Sequence, residues 1–68
     1  MNVPHSRFNP SNLQHVAIVN AAIATAGQKN RGRIRSARAA LNEHGIELMR
    51  PEDDIRLERL VIDLSEWR

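Results

Sequence analysis

The chain has 68 residues, no cysteine, and only two aromatic side chains, Phe8 and Trp67. That length allows one domain, 1–68, and excludes a multidomain enzyme, while the missing cysteine excludes disulfides and thiolate metal sites. The net charge of +2 conceals an asymmetry: the first 42 residues hold six of the ten basic residues and no acid, and all eight acids fall in residues 43–68. Nine of the ten basic residues are Arg, which forms bidentate contacts to carboxylate or phosphate better than Lys does. A domain this small buries a modest fraction of its surface, so oligomerisation is the expected support.

In chain order, residues 1–8 are polar and read as a flexible arm, with no secretory h-region. The first helix is expected over about 9–27. Asn9-Pro10 offers a cap followed by Pro at the first helical position, and Ser11 with Gln14 offers an alternative start. Phe8 and Leu13 would form a hydrophobic staple across that cap, and Gly27 a stop. No charged residue lies between Asn9 and Gln28, but Ser11, Asn12, Gln14, Asn20 and Thr25 make a membrane span a poor fit and a buried helix a better one. Leu13, Val16, Asn20, Ile23 and Gly27 follow a 3-4-3-4 spacing, a heptad seam with one Asn in it. Leu13, Val16, Asn20 and Ile23 are therefore candidate dimer-interface residues; the competing reading of Asn20 is a side chain bonded to local backbone.

The second helix is expected over about 30–44, with Gly45 as its left-handed stop and Ile46 folding back on Leu41. Its apolar stripe, Ile34, Ala37 and Leu41, is narrow. Its first turns carry Arg31, Arg33, Arg35 and Arg38, where cations oppose the helix dipole and repel one another. Such a cluster implies an anionic partner. Residues 46–49 form a short, extended connector. The third helix is expected over about 51–67, from Pro51 with Glu52, Asp53 and Asp54 in the favourable first turn. Its main stripe is Leu57, Leu60, Val61, Leu64 and Trp67, and Ile55 and Ile62 lie seven apart on the opposite face as further dimer-interface candidates. A strand at Leu60–Leu64 is the alternative; the helical period of the charged flanks opposes it.

Arg31-Gly32-Arg33 resembles the centre of an AT-hook, without that motif's flanking prolines. The helix–Gly–helix layout with Arg on the second helix resembles part of a helix-turn-helix, which implies DNA binding. The run Ala39 to Ile46 is similar to the last helix of Fis-type DNA-binding domains. Leu48 to Glu66 resembles small antitoxins that inhibit Fic enzymes. That family needs Ser/Thr-x-x-x-Glu-Gly, and the matching positions here are Ala40, His44 and Gly45, so its inhibitory Glu is absent and the activity is not carried over.

Catalysis has no support in the sequence. His5, His15 and His44 lack metal-ligand spacing, Ser11, Ser36 and Ser65 lack a nucleophile elbow, and residues 27–32 lack phosphate-loop spacing. No catalytic residue, metal, cofactor, small-molecule substrate or membrane contact is expected. The fold expected is all-α, a small bundle of two to three helices completed by homodimerisation. The function expected is that of a cytoplasmic, non-enzymatic regulatory protein, a phage-type inhibitor or modulator of a host regulator such as a transcription factor. Arg31, Arg33, Arg35, Arg38, Glu52, Asp53, Asp54 and Trp67 are its candidate partner-binding residues, because Arg and Trp dominate interface energetics. The alternatives are an Arg-rich, DNA-binding transcriptional regulator and a structural subunit whose Arg set pairs with its own acids. The modest net charge and the lack of a complete reading motif favour a protein partner.

Overall fold

The computed structural model describes residues 6–27 and 29–66. The order is β1 (Ser6–Arg7), α1 (Leu13–Thr25), α2 (Asn30–Glu43), β2 (Ile46–Glu47) and α3 (Pro51–Glu66). The protein is mostly helical, as expected, with three helices. The range 60–64 lies inside α3 and is not a strand. Trp67 lies outside the described residues.

The start of α1 differs from expectation. Asn9 to Asn12 form a turn, in which the Asn12 amide donates to the Asn9 carbonyl at 3.0 Å and Asn9 Oδ1 accepts from the Ser11 amide at 2.9 Å. Pro10 fills the second position of this turn, which its fixed φ suits, instead of opening the helix. The cap is Asn12, whose Oδ1 accepts from the Gln14 and His15 amides at 2.9 and 3.4 Å. The staple between Phe8 and Leu13 does not form. Leu13 is 84% exposed, whereas Phe8 is buried and stacks on the His15 ring at 6.1 Å. At the other end α1 stops at Thr25, and its cap residue Ala26 is extended; among glycines only Gly45 has a positive φ, so Gly27 is not a left-handed stop.

Residues 6–8, expected as part of a flexible arm, are built into the fold; residues 1–5 lie outside the described residues. Ser6 and Arg7 pair in parallel with Ile46 and Glu47. The Ser6 amide donates to the Gly45 carbonyl at 2.9 Å and the Phe8 amide to the Glu47 carbonyl at 2.8 Å. Parallel strands need a long crossover, and α1 with α2 supplies it. Gly45 makes the junction possible: its φ of 72° turns the chain out of α2 and into β2, a conformation costly for residues with a Cβ.

Phe8, which follows β1, joins β2 and the three helices in one core of Phe8, Val19, Ile23, Ala37, Leu41, Ile46, Leu57 and Val61. Fully burying a side chain such as Leu57 or Phe8 stabilises the fold by about 1.5–3 kcal/mol. The face of α1 that turns inward is His15, Val19 and Ile23, a rotation from the expected seam. Ile23 belongs to this core at 2% exposure, so it is not available to a second copy, while Leu13 and Asn20 are exposed and Val16 is half-buried. Among the described residues, no helix is long and apolar enough to cross a membrane.

Candidate functional site

Three surfaces carry the residues singled out in the sequence. The first is the Arg face of α2. Arg31, Arg35 and Arg38 follow i, i+4, i+7 spacing and line one shallow hollow with Ile34 and Glu58 of α3. Arg33 points elsewhere, half-buried, with its Nε donating to the Gly27 carbonyl at 3.1 Å across the α1–α2 turn. Arg38 is held by α3: its Nη2 lies 2.6 Å from Asp54 Oδ1. The hollow is thus of mixed charge, with Ile34 as the one apolar side chain among its lining residues. Its Arg-Gly-Arg string is helical, unlike the extended strand of an AT-hook. The first turn of α2 contains no acid, and its cap residue Lys29 makes no side-chain capping bond.

The second is the acidic turn of α3, which divides into three different environments. Asp53 is completely buried. Its carboxylate accepts a fork from Arg7, Nε at 3.1 and 3.3 Å and Nη2 at 3.0 Å. It also accepts the Met49 and Arg50 amides at 3.0 and 3.2 Å. Asp53 occupies the third position of α3 and reaches back to the amides before the helix, as the acid of a capping box does. The Arg7 hydrogen bonds hold its carboxyl below the usual range; burial pushes the other way, and the two amides add to the lowering. Asp53 therefore caps and anchors, and is not exposed to a partner as the sequence suggested. Glu52 is exposed, 4.0 Å from Arg7 and 3.7 Å from Arg50. Asp54 is half-exposed on Arg38. Sequence reasoning missed Arg7; the only available signal was a lone cation in an otherwise uncharged first segment.

The third is apolar. Ile55 and Ile62 are 57% and 40% exposed on α3. The outer face of α1 is uncharged from end to end, with Leu13, Ala17, Asn20, Ala21 and Ala24 exposed. Among the described residues, no group of three or more His, Asp or Glu is placed to hold a metal ion. Compared with known proteins, the chain matches no family model, no curated protein and no solved structure.

Proposed function

We propose that the chain is a non-enzymatic regulatory protein that binds a protein partner through the Arg face of α2. The observation that carries this reading is the mixed lining of the hollow: Arg31, Arg35 and Arg38 around Ile34, bordered by Glu58 and with Asp54 already on Arg38. A polyanion needs a continuous cationic rail, and acids beside the Arg side chains interrupt one. A protein surface that sets carboxylates beside an apolar side chain matches both the Arg guanidinium groups and Ile34. Acids from α3 also keep the Arg cluster from repelling itself, which supports a folded, presented surface.

A second reading, DNA binding, is favoured by a different observation. Lys29 and Arg31 are exposed at the first turn of α2, with Arg35 one turn further on, and that first turn lacks both acid and side-chain cap; such a turn suits a phosphate. One experiment separates the two. The tagged chain is used for capture from cell extract with and without nuclease, beside an Arg31→Ala/Arg35→Ala variant. A protein ligand gives a nuclease-resistant complex that the variant loses, with ~2 kcal/mol or more at the central Arg. DNA binding gives a nuclease-sensitive complex whose log affinity falls linearly with log salt, near 0.9 per phosphate contact. An unaltered set of partners for the variant rejects both and leaves the Arg face as a solvated surface.

A further inference from the structure

The Arg face of α2 has the spacing of a nucleic-acid contact and the wrong neighbours for one. Arg31, Arg35 and Arg38 recur at i, i+4 and i+7 and span ~10 Å along the helix. About three phosphates of one DNA strand occupy that length, at ~3.4 Å each. Two acids of α3 stand beside them. Asp54 Oδ1 holds Arg38 Nη2 at 2.6 Å, and Glu58, one turn further on, lines the same hollow as all three Arg side chains. Three Arg against two acids leave the face at +1; without the acids it would carry +3. Folding does not account for either acid. The Arg38–Asp54 pair is about half exposed at both ends, and exposed pairs contribute little to stability. Glu58 lies about two turns inside α3, beyond the first turn in which the helix dipole favours an acid.

We propose that Asp54 and Glu58 are selectors, which close the Arg face to nucleic acid and leave it open to a protein carboxylate. A nucleic acid brings a row of phosphates and cannot lie along the three Arg side chains without meeting both acids. A protein can place one carboxylate between Arg31 and Arg35, at the end of the face away from Asp54, and take charge-assisted hydrogen bonds from both. Like charge set against the wrong ligand is a general source of specificity, because it costs the competitor more than the intended partner. The selection rests on the reading that a protein occupies this face, but its test needs no partner.

The test is fluorescence anisotropy of a labelled random-sequence DNA duplex, titrated with the full chain at several salt concentrations. Asp54→Asn/Glu58→Gln should bind the duplex about tenfold tighter than the wild type at low salt, with a log–log salt slope steeper by about two phosphate contacts at ~0.9 each. Adding Arg31→Ala/Arg35→Ala should abolish that gain. Asp63→Asn/Glu66→Gln removes the same charge from exposed positions of α3 outside the hollow, and should leave the affinity near the wild-type value. Glu58→Gln alone leaves the Arg38–Asp54 pair in place. If circular dichroism shows the double variant unfolded, this single change decides the matter, with a slope gain of about one contact. A wild type that binds the duplex as tightly as the double variant overturns the proposal. So does an equal gain from Asp63→Asn/Glu66→Gln, or a gain that survives the loss of Arg31 and Arg35. The gain without a nuclease-resistant protein complex would sink the protein reading alone. Such a complex without the gain would sink only the selection by Asp54 and Glu58.

Discussion

Arg7 and Asp53 are 46 positions apart in sequence and join the N-terminal strand to the first turn of α3. Removing Arg7 leaves the buried Asp53 carboxylate without its fork, whereas removing Asp53 leaves a partly exposed Arg7, so the two ends of the pair are not equally sensitive. Asp53→Asn should lower the thermal midpoint at neutral pH, and Arg7→Met should lower it further because the carboxylate stays ionised. The pH dependence has a definite sign. Asp53 is held below its ordinary range in the fold, so its contribution is fully present above the unfolded value, about 3.9, and is lost as pH falls below that toward the folded value. Thermal melts between neutral pH and pH ~3 should show a steeper acid loss for the wild type than for Asp53→Asn. Parallel curves would mean that the pair contributes nothing to folding. An acid in a helix's first turn looks the same in sequence whether it faces solvent or a buried Arg; only the distant Arg7 distinguishes them, and no local pattern points to it.

At the scale of elements, two glycines make a matched pair. Gly45 has φ 72°, and Gly45→Ala should destabilise by ~1–2 kcal/mol through the left-handed backbone alone. Gly32 lies inside α2, and a Cβ added there meets nothing within 4 Å. Gly32→Ala should therefore stabilise by about 0.5–1 kcal/mol. Urea unfolding of both variants checks the signs, and a stabilised Gly45→Ala would contradict the turn geometry. Helix ends with strong local chemistry were legible in sequence: Gly45 after α2 and Pro51 with its acids at α3. The inward face of α1 was not. Charges normally mark a helix's outer side, and α1 has none, so Leu13-Val16-Asn20-Ile23 and His15-Val19-Ile23 are equally good stripes until α2 and α3 choose between them. Strands of two residues have no period to read, so β1 and β2 were invisible as a pair. The Arg face of α2 was legible because i, i+4, i+7 spacing fixes it; its acidic border, Asp54 and Glu58, depends on how α3 packs.

At the scale of the whole molecule, the N-terminal segment closes the structure. Phe8 covers His15 and joins a core with Leu57 and Val61, while the Asn9 amide donates to His15 Nδ1 at 3.0 Å. That bond requires Nδ1 to be the unprotonated nitrogen, so segment, ring and α1 are fixed together. Replacing a buried Phe by Ala costs about 3–5 kcal/mol. A domain of this length has a total stability of roughly 3–10 kcal/mol, at about 0.05–0.15 kcal/mol per residue. Phe8→Ala should therefore remove a large part of the stability. Deleting residues 1–8 removes in addition the Arg7 fork, and leaves Asp53 buried without it and the edge of β2 unpaired. The deletion variant should keep some helix by circular dichroism yet show no cooperative thermal transition, whereas Phe8→Ala should keep a transition at a much lower midpoint. An N-terminal arm that merely hung from the fold would give the opposite pattern: both variants would melt with the wild-type midpoint and slope, and the three helices would suffice as a core by themselves.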